Sequence, residues 1–321
     1  MIDTGPSTGT MRGWAIGGYG DPMRLMDDLP VPKPGPRDVL IRMHGAEVGD
    51  WDEMVRIGAW DMERPFPLVL GLAGAGTVAA VGKDADQFGV TLPVYAYSYP
   101  LYDNGAWAEY MLVPEHYVAR ATTALTLVEA GGIPTIGLTA HETITDLLDV
   151  RADEVVVISA AAGGVGHLAV QIAALRGAHV VATAGPNNQK FLASLGAETV
   201  FDYTEVDDMA KAVRARYPGG ADKVLNGVAG EAANDYVWTL KDGGKMVDLP
   251  GAVTVERPGV DIISDYVVRG NGARLAKLTR LFDSGSLRLE IQAVEAFVDA
   301  SSALDLVLGK HVRGKVILRI V

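Results

Sequence analysis

Residues 155–177, VVVISAAAGGVGHLAVQIAALRG, run an apolar strand, a glycine turn and an amphipathic helix together without a break. Val155, Val156, Val157 and Ile158 form the continuous apolar run of a parallel strand buried on both faces. Leu168, Ile172 and Leu175 recur at helical spacing, with Gln171 in the same stripe, and Gly177 stops the helix. Residues 179–183 then read as a second strand, which completes one βαβ unit. A strand that feeds a glycine turn at a helix N-terminus aims backbone N–H groups and the helix dipole at a pyrophosphate, and the missing side chains allow close approach. Dinucleotide binding is the reading this order supports; the alternative is a glycine-rich turn that binds nothing.

The end of the second strand chooses the nucleotide. NAD sites place an Asp or Glu there, about twenty residues beyond the glycine turn, to accept hydrogen bonds from the ribose 2′-hydroxyl. Here residues 182–190 read ATAGPNNQK, with no carboxylate. Small polar groups and the cation of Lys190 suit a 2′-phosphate, so NADPH is the expected cofactor. Taken alone, Lys190 reads equally as a solvated helix residue.

A chain of 321 residues, 49% hydrophobic, is long enough for two domains with their own cores. It carries no apolar run of membrane-spanning length, and the opening MIDTGPSTGT lacks a basic region followed by an apolar stretch. A cytoplasmic protein with no membrane partner is expected. The net charge of −12 disfavours nucleic acid, acidic membrane surfaces and acidic carrier proteins as partners. Cysteine is absent, which removes disulfides, thiolate nucleophiles, iron–sulfur sites and cysteine-ligated zinc. His44, His116, His141, His167, His179 and His311 form no HxxxH pair, so no metal site is expected.

Residues 1–122 read as β-rich, with apolar runs at 39–43, 76–81 and 110–113 between turn clusters at 32–36 and 103–105. From residue 125 strands alternate with helices. Beyond the first unit, strands are expected at 199–203, 223–226, 245–249 and 262–268, with helices at 206–216 and 231–240. Six strands with crossover helices imply an α/β fold, a doubly wound parallel sheet that takes ligands at the carboxyl ends of its strands. The tail reads as helices at 274–284 and 294–308 and strands at 287–291 and 315–320. A strand in the last residues is usually paired into a sheet, and the β-rich N-terminal part is its natural host. The expected organisation is therefore a nucleotide-binding domain, 123–272, inserted between 1–122 and 273–321, with substrate in the cleft.

Six segments in order resemble the medium-chain dehydrogenase/reductase superfamily, in its zinc-independent quinone-oxidoreductase branch. They are FPLVLGLAGAGTVAAVG (66–82), NGAWAEYMLVPE (104–115), IGLTAHETI (136–144), SAAAGGVGHLAVQIAALRGAHVVATA (159–184), LGAETVFDYTE (195–205) and HVRGKVIL (311–318). The resemblance covers nearly the whole chain. It implies a Rossmann sheet inserted in a GroES-like β-rich domain, and a homodimer joined through the last Rossmann strand, 262–268. It also implies Gly163, Gly164, Val165 and Gly166 at the pyrophosphate, and Gly185, Lys190 and Tyr203 around the adenosine 2′-phosphate. Asn226 and Gly227 would line the adenine and ribose side, and Thr139, Leu249, Pro250, Val267 and Val268 the nicotinamide half.

Zinc-dependent alcohol dehydrogenases of that superfamily carry Cys where Gly49 stands and Gly-His-Glu where Gly71-Leu72-Ala73 stands, so both donor positions are lost here. Many quinone and enoyl reductases carry Asn at position 49 and Tyr at position 60, and here Trp60 offers only an indole N–H. Asp52, which matches the family's aspartate, and Trp60 are the candidate catalytic residues. A turn or capping role is the alternative reading of Asp52 and of its neighbour Asp50. Tyr203 also reads as a strand-end aromatic. Tyr95, Tyr97, Tyr99 and Tyr102 could edge the cleft, or, by the period-2 spacing of the first three, pack one face of a strand.

The expected function is NADPH-dependent hydride transfer to a small electrophile, a conjugated carbonyl or quinone. Two alternatives stay open. One is reduction of an enoyl thioester, or a reductive cyclisation, in a biosynthetic pathway; the other is an NADPH-binding structural or regulatory protein with little catalysis.

Overall fold

A computed structural model describes residues 9–60, 62–264 and 266–321. The first eight residues, part of MIDTGPSTGT, lie outside the described residues, as do Asp61 and Asp265, the latter inside the strand expected at 262–268. The chain divides into two compact units. The first comprises residues up to Leu138 with Arg269–Gly285 and Ile291–Val321, and the second Thr139–Val268 with Ser286–Glu290. Residues 123–138 and 269–272 thus group with the first unit rather than with the nucleotide domain expected at 123–272. The contacts explain why: Gly131 packs against the backbone of Gly45, and Gly137 against Leu278.

Eight strands open the first unit: β1 (Thr10–Ile16), β2 (Arg24–Pro30), β3 (Asp38–Val48), β4 (Leu68–Val69), β5 (Ala73–Val81), β6 (Pro93–Tyr97), β7 (Tyr110–Pro114) and β8 (Val118–Arg120). β1 pairs with β2 and β4, and β3 pairs with β5 and β7, all antiparallel. β3 is the spine of the larger sheet. Val39, Leu40, Ile41, Met43, Ala46 and Val48 are each buried, so the strand lacks the alternation of a sheet with one wet face.

The second unit holds β9 (Val155–Ile158), β10 (His179–Ala184), β11 (Thr199–Asp202), β12 (Ala221–Asn226), β13 (Leu240–Asp248) and β14 (Asp261–Ile263). They lie in the order β11-β10-β9-β12-β13-β14, every pairing parallel. The chain therefore builds outward from β9 in one direction, then crosses back and builds outward in the other. That reversal opens a crevice between the carboxyl ends of β9 and β12. The crossover helix Gly164–Leu175 buries Leu168, Ala169, Val170 and Ile172. β14 ends at Ile263, short of the strand expected to 268. The helix expected at 206–216 starts at Met209, because the Asp208 carboxylate accepts the Lys211 N–H at 2.8 Å and caps it there.

β15 (Ile291–Ala296) and β16 (Lys315–Arg319) return the chain to the first unit, where β16 runs antiparallel to β3 and β15 parallel to β16. The expected host of the last strand is thus the observed one. The tail expectation fails one element earlier: the strand falls at Ile291–Ala296 rather than 287–291, and the helix at Ala300–Leu308 rather than 294–308. Half-buried and exposed residues alternate through Ile291–Ala296, the period of a strand, while its Ala and Glu content imitates a helix over so short a window. Arg288 is held elsewhere: its N–H donates to Gln171 Oε1 at 2.9 Å and its carbonyl accepts from Gln171 Nε2 at 3.0 Å.

Candidate functional site

The parallel sheet brings the residues expected at a nucleotide to one edge. Gly163–Gly166 follow β9, Gly185 follows β10, Tyr203 follows β11, Asn226 ends β12 with Gly227 next, and Leu249 and Pro250 follow β13. Val267 and Val268 come four and five residues after Ile263, beyond the end of β14. Thr139 lies in the helix Pro134–Glu142, and its carbonyl accepts the Thr143 hydroxyl at 2.7 Å where that helix widens into a π-turn.

At the turn after β9, Gly163 caps the helix with extended backbone and no side chain, so no side-chain oxygen competes for the first N–H groups of Gly164, Val165 and Gly166. Gly166 sits where a Cβ would stand 2.5 Å from the Ala160 carbonyl oxygen, so only glycine lets the turn fold this closely onto its helix. Ala160 itself holds a left-handed φ of 48°. The Glu290 N–H donates to His167 Nε2 at 3.2 Å, which makes Nδ1 the protonated nitrogen and the donor to the Gly163 carbonyl at 2.9 Å. The cradle is therefore braced from behind by a buried histidine. Its bare N–H groups and lack of side chains fit a pyrophosphate.

Beyond β10 the Tyr203 ring lies alongside Gly185, its hydroxyl 3.6 Å from the place a Cβ would take. Lys190, in the helix Gln189–Ser194, is exposed. The carboxylate that ends β11, Asp202, accepts the N–H and hydroxyl of Thr204 at 2.9 and 2.7 Å and so is engaged in its own turn. The Tyr203 hydroxyl and the Lys190 ammonium are the donor groups that follow β11 and β10 here. Asn226 differs from expectation in how it is used: it is fully buried and its amide bonds Ser159, Val228 and Asp248, leaving Gly227 as the more accessible member of the pair.

In the first unit, Asp52 is fully buried and its Oδ2 accepts the Gly49 N–H at 2.8 Å, which closes the start of the helix Asp50–Arg56. The capping alternative thus describes its geometry, while its Oδ1 has no hydrogen-bond partner. Burial raises the Asp52 carboxyl well above the usual aspartate range, only partly opposed by the Gly49 N–H and by Lys315. Trp60 is half-buried, its ring 5.4 Å from that of Tyr99. Tyr95 and Tyr97 are buried in β6, and the Tyr95 hydroxyl donates to the Leu275 carbonyl at 2.9 Å, so these two serve packing. The Tyr102 hydroxyl donates to Asp38 at 3.1 Å.

Two clusters were not found from sequence. Glu47, Thr135 and Lys315 meet inside the first unit, where the Thr135 hydroxyl donates to Glu47 and Lys315 Nζ donates to the Val48 carbonyl at 2.7 Å. Lys315 Nζ also stands 3.6 Å from Glu47 Oε2 and 4.1 Å from the centroid of the Trp51 ring. Burial raises the Glu47 carboxyl, with Lys315 and Thr135 pulling the other way. A lone Glu in the apolar run MHGAEV and a lone Lys before VIL were the available signals. The second cluster, Ser159, Asn226 and Asp248, is signalled only by polar residues at the ends of three apolar strands.

The donor positions of a zinc site are filled differently. The Trp51 indole packs over Gly49, so that a Cβ there would collide with the ring. Residues 71–73 are Gly, Leu and Ala, and among the described residues no group of three or more His, Cys, Asp or Glu could hold a metal ion. These positions do not fit a zinc ion.

Residues 35–123 match the alcohol dehydrogenase GroES-like domain family, and residues 164–268 the zinc-binding dehydrogenase family. A quinone-oxidoreductase homolog of Spinacia oleracea, described as chloroplastic, is 30% identical over 246 residues, 73% of either chain. The NADPH-dependent alkenal/one oxidoreductase of Arabidopsis thaliana, also chloroplastic, is 29% identical over 326 residues, 96% of this chain and 79% of that one. Among solved structures, the quinone oxidoreductase from Coxiella burnetii superposes with a TM-score of 0.84 at 26% identity, over 98% of this chain and 100% of that one. Among the described residues no helix is long and apolar enough to cross a membrane. With both domains, their order and a glycine cradle at the switch point in place, the chain belongs to the medium-chain dehydrogenase/reductase superfamily, in its quinone-oxidoreductase-like branch.

Proposed function

We propose that this oxidoreductase is a zinc-independent, NADPH-dependent reductase of conjugated carbonyls or quinones. The observation that carries the reading is the carboxyl edge of the parallel sheet, where a cradle of bare N–H groups follows β9, Gly185 and Lys190 follow β10 and Tyr203 follows β11, with no acid among residues 182–190. Bound there, the nucleotide supplies a hydride for an electrophilic carbon. The chain's own residues hold the phosphates and orient the bases. Lys190 supplies positive charge to the 2′-phosphate, and Trp60 with Tyr99 offers flat aromatic surface to a planar acceptor. Asp52, whose carboxyl burial raises well above the usual aspartate range, closes the start of the helix Asp50–Arg56. The lost donors at position 49 and at 71–73 support reduction of a polarised double bond over alcohol oxidation, which would call for a Lewis acid.

The relative named for NADPH and alkenal/one substrates supports the same choice. β14, which among the described residues has β13 as its one neighbour in the sheet, supports a homodimer joined strand to strand. The test is loss of reduced-nicotinamide absorbance with NADPH and with NADH, against a panel of quinones, enones and enals. Turnover with NADPH preferred is the expected result; nucleotide binding with no turnover on any acceptor refutes the reductase reading.

A further inference from the structure

Ser159, Asn226 and Asp248 stand at the carboxyl ends of three neighbouring strands, β9, β12 and β13, at 2%, 0% and 0% exposure. Asn226 and Asp248 are register partners in the parallel ladder, so their side chains project side by side. A continuous bar of hydrogen bonds joins the three: Ser159 Oγ donates to Asn226 Oδ1 at 2.6 Å, and Asn226 Nδ2 donates to Asp248 Oδ1 at 2.8 Å. From this bar, bonds run outward to loop backbone. The Gly227 N–H reaches Ser159 Oγ at 2.9 Å, and the Val228 N–H reaches Asn226 Oδ1 at 3.0 Å. Asn226 Nδ2 also donates to the Val228 carbonyl at 2.8 Å, and the Val253 N–H donates to Asp248 Oδ2 at 2.8 Å.

Every oxygen of Asp248 is thus used, one on a neighbouring strand and one on a loop. A carboxylate buried this completely is expensive, and packing alone would be served as well by an apolar residue of the same size. What a carboxylate adds is two fixed acceptors that order donors on two sides at once. The donors it orders are the Asn226 amide, which in turn bonds the backbone of Val228, and the Val253 N–H in the loop 249–253, both at the carboxyl edge where a doubly wound sheet takes its ligand.

We propose that Asp248 is a positioning residue for the nucleotide: through Asn226 and the Val253 N–H it sets the backbone of the two loops that line the nucleotide. The proposal rests on the nucleotide-binding reading above. It makes a reciprocal demand, that a donor face an acceptor across the bar whichever strand carries which. In Asp248→Asn a second amide faces the donors of Asn226 and Val253, and one bond is lost. Asn226→Asp sets two carboxylates against each other. The swapped double variant restores the bar: Asn at 248 donates to Asp at 226 and still accepts from Val253, while Asp at 226 still accepts from Ser159 and Val228. The bond to the Val228 carbonyl is lost, and that oxygen must turn away from the carboxylate oxygen that replaces the Asn226 nitrogen.

The experiment measures NADPH affinity by fluorescence titration, beside the thermal unfolding midpoint, for wild type, both single variants and the swap. Each single variant is expected to lose about tenfold or more in affinity, as for one buried hydrogen bond to a charged group, and the swap to return within about threefold of wild type. If the single variants fail to fold, the swap alone decides. Asp248→Asn that folds and binds NADPH as wild type does overturns the proposal. So does a swap that misfolds, or one that recovers the unfolding midpoint without the affinity, since the bar then serves stability alone. Wild type that binds neither NADPH nor NADH overturns the functional reading itself, and this role with it.

Discussion

Replacing Lys315 with Met removes the cation from a buried pair, and from the face of the Trp51 ring, while keeping an unbranched side chain of similar length. Lys315 is 4% exposed and Glu47 is fully buried, so the carboxylate left behind has the Thr135 hydroxyl and no counter-charge. Breaking such a pair from one side costs about 3–5 kcal/mol. The pH dependence follows from the direction of the shift. Glu47 already titrates above the ordinary glutamate range, so between the unfolded and folded values the folded state binds more protons, and stability falls as pH rises through that window. Lys315 opposes that shift for Glu47 and also for Asp52, so removing it extends both windows upward. Within the window each group contributes a slope of up to about 1.4 kcal/mol per pH unit. K315M is therefore expected to be much less stable than wild type at pH 8 and closer to it at pH 5. Urea unfolding at a series of pH values reads this directly, and the double variant E47Q/K315M, which has no buried charge to orphan, should regain most of the loss. A K315M deficit under about 1 kcal/mol at neutral pH, or one that does not change between pH 5 and pH 8, refutes the account of the cluster.

Lys190→Glu is expected to weaken NADPH by about ten- to a hundredfold, the worth of one charge-assisted hydrogen bond, while NADH changes little; paired titrations check this, and an unchanged preference removes Lys190 from the 2′-phosphate. Gly166→Ala forces a Cβ onto the Ala160 carbonyl and should cost about 1–3 kcal/mol in unfolding free energy together with nucleotide affinity. Retention of wild-type affinity in that variant would show that the turn can relax without disturbing the cradle.

What could be read from the sequence was set by locality. The βαβ unit at 155–183 is built from neighbours in the chain, with strand, turn and helix each carrying its own signal, and the structure has β9, the helix Gly164–Leu175 and β10 there. The tail shows the limit: Ile291–Ala296 is too short for its periodicity to decide between strand and helix, and pairing with β16 decides it. Lys315 lies 267 residues from Val48, whose carbonyl it binds, so nothing near either residue announces the contact. The antiparallel ladder of β16 on β3 makes it, setting Ile317 opposite Glu47. Asp248 carries no local signal for a related reason. A polar residue at a strand end reads as a loop residue until the neighbouring strand is known to place Asn226 beside it.

The indole of Trp51 over Gly49 bears on the order in which substitutions can accumulate. A donor side chain introduced at position 49 alone meets the ring and is penalised before it gains a ligand. With Trp51 first made small, the same donor has room, but Lys315 then loses the aromatic face beneath its ammonium. Positions 49, 51 and 315 are thus epistatic. A lineage or an engineer moving between a donor-bearing and a donor-free site must change them in concert, and a library randomised at position 49 alone would sample only the region around glycine.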